Sequence, residues 1–268
     1  YYLFPSKFMK KNFPTIQSRN SPTESESLFV FGRHPVEEAL NQSPKKVSKI
    51  FLKKGNEVGF NLMIEKTASL HKIPVVLVDK KKIFELVGDV NDQGVVAVMS
   101  AVEFVELKDW IESVKDIKNP CCLLLDELED AGNVGAIIRS ATAFGIHGII
   151  IGKHRQSPIS GTTYKTSAGT LGKIPLIRVN NLNNALDVLK DNRFWVLGLD
   201  ADGDTELSKV DMDMPMCIVI GAEGDGVRMK TLERCDFKVT IPMDNGVESL
   251  NASVTAALVM YQWTLSRT

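Results

Sequence analysis

Apolar and polar positions follow two rhythms along the chain, and the rhythm changes near residue 120. From Leu28 to Val102 short apolar runs alternate with helical spacings. "HPVEEAL" (34–40) predicts a helix with Pro35 in its first turn, where a missing N–H leaves no partner unsatisfied. "VSKIFLK" (47–53) predicts a strand. In "VGFNLMIEKTASLHK" (58–72), Phe60, Ile64, Thr67 and Leu70 recur at the spacing of one helix face. "IPVVLV" (73–78) and "GVVAVMS" (94–100) predict two further strands around a short helix, "KKIFELVG" (81–88). Residues 28–102 thus form a small α/β unit. The stretch 102–120 predicts a linker or bridging helix, with 103–118 as the linker proper.

Beyond Pro120 the strands are apolar throughout: "CCLLLDEL", "GIIIG", "IPLIRV", "FWVLGLD", "MCIVIGAE" and "FKVTIPM". Strands of this kind are covered on both faces, as in a parallel sheet with crossover helices. The helices are predicted at "NVGAIIRSATAFG", "NLNNALDVLKDN" and "SLNASVTAALVMYQWTL". In such sheets ligands sit beyond the carboxyl ends of the strands, so polar residues just after strands deserve inspection. Three clusters stand there.

In "LLLDELEDAGNVGAIIRSATAFG" the pattern places Asn133 as the N-cap of a helix and Gly145 at its end. Arg139 interrupts the apolar face, and the small Gly135 and Ala136 predict room for its guanidinium to fold back along the helix. Gly135 also lowers helix stability by up to ~1 kcal/mol relative to Ala. In "MCIVIGAEGDGV" a strand meets Gly221, Gly224 and Gly226 with Glu223 among them; glycines there permit positive φ and close ligand approach. The spacing is not G-x-G-x-x-G, which speaks against a dinucleotide site and an oxidoreductase. In "IPMDNGVESLNASVTAALVM" a strand ends, "DNG" turns, Glu248, Ser249 and Asn251 mark the junction, and Ser249 is placed as the N-cap of a helix apolar nearly all round. Such a helix is buried against the sheet or a second subunit. Taken singly, each cluster equally fits a routine cap or a tight turn.

Composition adds boundaries. The 268 residues are 44% hydrophobic and 24% charged, as in a soluble globular protein, and no apolar run approaches the ~18 residues of a membrane span. Residues 1–27, rich in Ser, Pro and Asn, are expected to be a disordered extension without a secretory pattern, and Met9 is a candidate start within it. Cys121, Cys122, Cys217 and Cys235 have neither zinc nor disulfide spacing, so free buried thiols, a cytoplasmic location and no metal are expected. Residues 28–102 carry 11 Lys and Arg against 8 Asp and Glu, while the second half is acidic. A local basic surface fits a polyanion such as RNA, although a solvated face explains the charge equally well.

Together, "NVGAIIRSA", "VIGAEGDGV" and "IPMDNGVESLNAS", in this order, resemble the three motifs of the SpoU (TrmH-like) 2'-O-ribose RNA methyltransferases of the SPOUT class. "LFVFGRHPVEEAL" resembles the opening of the RNA-binding domain of the RlmB-type branch, which methylates a guanosine of bacterial 23S rRNA; tRNA or another rRNA site is the alternative target. The resemblance covers 28–268. It implies an α/β fold with a C-terminal, mostly parallel sheet, flanking helices and a trefoil knot, preceded by the small α/β RNA-binding domain. Over 119–268 it implies a catalytic domain using S-adenosyl-L-methionine, as a homodimer. By carry-over, Gly221, Ile241, Leu250, Glu223 and Met243 bind the cofactor, and Asn133, Arg139, Glu223, Ser249 and Asn251 form the catalytic set. Arg33 and Lys165 are assigned to RNA. "EDAG" stands where many relatives have Asp-Pro before the motif Asn, and Ala252 where many have Val. The remaining rival is a non-catalytic RNA-binding assembly factor on the same scaffold, which leaves five intact polar motif residues unexplained.

Overall fold

The computed structural model describes residues 27–267 apart from Asp225 and Glu248. The extension expected over 1–27 therefore lies, but for Ser27, outside the described residues, as does the junction residue Glu248.

The first unit runs β1 (Leu28–Phe31), α1 (Arg33–Gln42), β2 (Val47–Lys53), α2 (Val58–Leu70), β3 (Val75–Val78), α3 (Lys80–Val87) and β4 (Val95–Met99). Its four strands lie in the order β1-β4-β2-β3, with β4 antiparallel to both neighbours and β2 parallel to β3. Strand β1 had no counterpart in the sequence pattern. It occupies an edge and pairs Leu28 with Met99 through Phe31 with Val96. Phe60 and Ile64 lie on the buried face of α2 as their spacing predicts, but Ala68 completes that face in place of Thr67 and Leu70, and Leu70 at the end of the helix is exposed.

Within the bridging stretch α4 (Leu107–Val114) forms. It is fixed by Trp110, whose fully buried ring donates Nε1–H to the His147 carbonyl at 3.0 Å. The second unit then runs β5 (Cys121–Asp126), α5 (Ala131–Phe144), β6 (Gly148–Gly152), α6 (Gly161–Thr166), β7 (Leu176–Val179), α7 (Leu182–Asp191), β8 (Trp195–Leu199), β9 (Thr205–Glu206), β10 (Met216–Gly221), α8 (Met229–Leu232), β11 (Phe237–Thr240) and α9 (Ala252–Ser266). All six expected strands are present, with the two-residue β9 added at one edge. The order is β7-β6-β5-β10-β8-β11-β9, and every pairing is parallel.

The apolar character of β5, β6 and β10 has the expected cause. Every residue of β5 and β6 is buried, because α5 and α9 cover one face of the sheet while α4 and α7 cover the other. Full burial of a Leu or Ile side chain is worth about 1.5–3 kcal/mol, so this core dominates the stability of the unit. Cys121, Cys122 and Cys217 are free and buried within it. Burial pushes the Cys121 thiol up; a hydrogen bond with Cys122 and then burial do the same to Cys217, so both stay protonated and unreactive.

The two units meet at α6. A Cβ at Gly161 would stand 2.0 Å from the Phe29 carbonyl oxygen, so only glycine lets α6 lie this close to β1. No helix among the described residues is long and apolar enough to cross a membrane.

Candidate functional site

The carboxyl ends of β8, β10 and β11 gather the second and third clusters around one crevice of about 230 Å3. The sequence dictates its floor. Strand β10 ends at Gly221, and the chain doubles back so tightly that Ala222 and Gly226 exchange two backbone hydrogen bonds of 3.1 Å. A Cβ at Gly221 would lie 2.1 Å from the Gly226 carbonyl carbon and 2.3 Å from the Val227 nitrogen. No side chain fits between backbones at that distance. Gly224 and Gly226 take φ of 83° and 64°, the region glycine adopts without strain. Ile241, Met243, Ser249 and Leu250 form another wall. Gly221, Ile241, Met243 and Leu250 thus line a single crevice. Glu223 does not line it, although its neighbours Ala222 and Gly224 do.

Glu223 turns outward and joins a side-chain cluster on the rim. Asn133 donates Nδ2–H to Glu223 Oε1 at 2.7 Å, and Asn251 donates from Nδ2 to the same oxygen and to Asn133 Oδ1, the latter at 3.0 Å. One residue from each motif, 90 and 28 positions apart, therefore meets in a closed triangle. The flanking Leu250 and Ala252 line the crevice, so the triangle sits at its edge.

Two helix starts differ from their expected form. The cap of α5 is Asp130, whose Oδ1 accepts the Asn133 backbone N–H at 2.6 Å, so Asn133 stands at the third helical position rather than at the N-cap. Its amide is thereby released for Glu223. The cap of α9 is Asn251, not Ser249: Asn251 Oδ1 accepts from the Ser253 and Val254 backbones at 2.9 and 3.4 Å. Ser249 lies two residues before the helix cap, exposed on the crevice wall. Ionised Asp only accepts, and fits a plain cap; Asn251 caps with its oxygen and bonds the rim with its nitrogen.

Arg139 is exposed on α5 and, among the described residues, makes no hydrogen bond or ion pair. The small residues before it do not cradle its guanidinium. A Cβ at Gly135 would stand 1.8 Å from Thr166 Oγ1, so that glycine serves the packing of α5 on α6. Arg33 is held by Glu57 at 2.9 Å and lies 4.6 Å over the Phe60 ring. Lys165 is exposed on α6, which Ser160 and Thr163 cap reciprocally.

One feature of the site was not singled out from the sequence. Asp126, at the end of β5 and 0% exposed, accepts from Arg228 Nε at 2.9 Å, Nη2 at 2.6 Å and the Arg228 backbone N–H at 3.1 Å. Arg228 Nη1 also reaches Glu127 at 2.5 Å. The hydrogen bond to Asp126 leads in raising the Arg228 pKa above its ordinary value. This pair pins the far end of the glycine loop to the neighbouring strand. Its only trace in the sequence is an Asp at the end of an apolar run. A larger cavity, about 280 Å3, lies in the seam between the two units beside Lys46, Tyr164 and Lys173; none of the motif residues lines it.

Both units are similar to known proteins. The SpoU rRNA Methylase family matches residues 120–261, and the RNA 2'-O ribose methyltransferase substrate-binding family matches residues 29–105. The chain is 40% identical over 238 residues to a Staphylococcus saprophyticus protein named as a TrmH family tRNA/rRNA methyltransferase, covering 88% of this chain and 95% of that one. It is 39% identical over 236 residues to the Bacillus subtilis protein YacO, named in the same way, covering 87% and 94%. The crystal structure of the SpoU methyltransferase AviRb from Streptomyces viridochromogenes, in complex with AdoMet, aligns over 90% of each chain with a TM-score of 0.71 and 25% identity.

Proposed function

We propose, from the premise that this chain belongs to the SpoU rRNA methylase family, that it methylates a ribose 2'-hydroxyl of RNA, with a guanosine of bacterial 23S rRNA in the cytoplasm as its target. The observation that carries the reading is the triangle of Asn133, Glu223 and Asn251 closed at the edge of a crevice floored by a glycine turn.

S-adenosylmethionine is the cofactor of this family, and the residues present fit it. The crevice offers apolar walls in Ile220, Ile241 and Leu250, and exposed backbone at Gly221, where a side chain has no room. When bound, the cofactor supplies an electrophilic methyl group, so metal assistance is not required. The chain's own residues supply alignment and charge. Orientation of reacting groups is worth about 7–11 kcal/mol in favourable cases. The rim triangle ties Glu223 of the glycine loop to the start of α5 and the cap of α9, and so positions the crevice against the RNA. The cationic guanidinium of Arg139 stabilises the negative charge that develops on the 2'-oxygen as its proton leaves, before that charge is spent in bonding to the methyl carbon and releasing the sulfur. The hydroxyl proton leaves to water or an RNA phosphate oxygen. Ser249, free of the capping role, contacts RNA phosphate from the crevice wall. Arg33 and Lys165 bind RNA away from the reacting centre, Arg33 through the face that its bond to Glu57 leaves open.

Because Arg139 faces solvent and not the crevice of its own subunit, we place it in the site of a second copy. Val254, Leu258, Tyr261 and Leu265 support this, forming an apolar stripe on α9 that is 41–53% exposed, with the Phe144 ring of α5 tilted beside Tyr261 at 6.2 Å. The trefoil threading of the last segment belongs to the same reading; β10 lying between β5 and β8, with Ile241, Met243, Ser249 and Leu250 lining the crevice at the strand ends, supports it.

The test compares Arg139→Ala with wild type. Methyl transfer to rRNA is expected to fall by at least about 10²-fold, the loss of one preorganised charge-stabilising group, while cofactor affinity by calorimetry stays within about threefold. Parallel loss of both overturns the division of roles. Mixing Arg139→Ala with Glu223→Ala subunits restores activity if the Arg acts across the interface. Mapping 2'-O-methyl positions in rRNA and tRNA with and without the gene assigns the target.

A further inference from the structure

Among the described residues, Asp200 is the only ionisable side chain lining the crevice. It follows directly on β8, between the ends of β10 and β11, and is half-buried. Its position is fixed: the Asp200 backbone N–H bonds the Val239 carbonyl at 3.0 Å, and Oδ1 accepts the Asp202 backbone N–H at 3.2 Å. No Lys, Arg or His among the described residues pairs with it within 4 Å, and no described donor meets its second oxygen, Oδ2. The remaining lining is neutral, so the carboxylate gives the crevice a preference for ligands that present O–H or N–H donors and positive charge. S-adenosylmethionine carries both: ribose hydroxyls on its nucleoside half, an ammonium on its amino-acid half, and a net charge of about +1 from its sulfonium.

We propose that Asp200 is a cofactor-binding residue whose carboxylate accepts hydrogen bonds from S-adenosylmethionine, through either its ribose hydroxyls or its ammonium. The assignment rests on the reading of the crevice as the cofactor site. It adds the one charged side chain among the described residues lining that site, and it lies in none of the three motif segments.

The test is equilibrium binding to the full chain, with no RNA present. Asp200→Asn keeps an Oδ1 acceptor for the Asp202 N–H, removes the charge and replaces the second acceptor oxygen with an NH2 donor, so the melting temperature is expected to stay within about 2 °C of wild type. Affinity for S-adenosylmethionine and for S-adenosylhomocysteine is expected to fall about tenfold or more, the loss of a charge-assisted hydrogen bond. 5'-Methylthioadenosine, which lacks the amino-acid half, separates the two partners. The same loss with this ligand assigns Asp200 to the nucleoside half, and no loss assigns it to the ammonium. Wild-type affinity of Asp200→Asn for all three ligands overturns the proposal, and so does a uniform loss accompanied by a lower melting temperature. If the wild-type chain fails to bind S-adenosylmethionine, the crevice reading itself falls and the proposal with it.

Discussion

The crevice and its rim are built from different materials. Apart from Asp200 and a few hydroxyls, the crevice is backbone and apolar side chain: Gly221, Gly224 and Gly226 bend the chain, and Ile220, Ile241 and Leu250 enclose it. The rim is side-chain amide and carboxylate, with Asn133, Glu223 and Asn251 joined across three segments. A wall of backbone tolerates no added atom. A wall of side chains tolerates substitution in proportion to the hydrogen bonds that remain. The two regions should therefore respond differently to mutation, and that difference can be measured.

The largest effect is expected at Gly221. In Gly221→Ala the new methyl meets the Gly226 backbone at 2.1 Å, and since neither strand end is free to move, the loop must open. S-adenosylmethionine binding by calorimetry should be lost and the thermal transition lowered. Binding within about threefold of wild type would show that the glycine turn is not the floor of the site.

Arg228 comes next. Truncation to Ala leaves Asp126 buried without its countercharge. Breaking a buried ion pair typically costs about 3–5 kcal/mol; because Arg228 is 39% exposed and water can reach the vacated space, about 3 kcal/mol by urea titration is the expectation. The sharper measurement is non-additivity. Adding Asp126→Asn to Arg228→Ala removes the stranded charge, and the double variant should be more stable than Arg228→Ala alone. A double variant that loses the sum of both single effects would make the pair incidental to the loop.

These two positions also separate what sequence patterns carry from what they do not. Runs of apolar residues announced β5, β6 and β10, because burial on both faces makes each apolar throughout and their 6, 5 and 6 residues are the length of a strand rather than of an ordinary helix. The edge strand β1 gave no comparable signal in "LFVF", and α6, only six residues long, is too short to show a period. Gly221 stood out because a glycine cluster after a strand has a local backbone meaning. Asp126 and Arg228 did not, since they are 102 residues apart and become partners only when β10 inserts beside β5. The motif residues were found in the right neighbourhoods but with exchanged duties. Asn133 and Ser249 satisfy the general preference for N-caps, yet Asp130 and Asn251 hold those positions. Side-chain identity constrains which caps are possible; the exact start of the helix, set by tertiary packing, decides among them.

Asn251 gives the smallest effect in stability and the finest separation between helix and rim. Its oxygen caps α9 through Ser253 and Val254, and its nitrogen serves Asn133 and Glu223. Asn251→Ala removes both functions and should cost about 1 kcal/mol, the ordinary loss of an N-cap. Asn251→Ser restores a capping oxygen but supplies no second donor, so its stability should return to within a few tenths of a kcal/mol of wild type. The rim, however, stays broken in both variants. Methyl transfer should therefore be depressed to the same extent in Ser and Ala, while chemical denaturation separates them. If activity follows stability, with Ser recovering both, then α9 needs Asn251 only as a cap, and the triangle is a consequence of packing with no part in positioning the crevice.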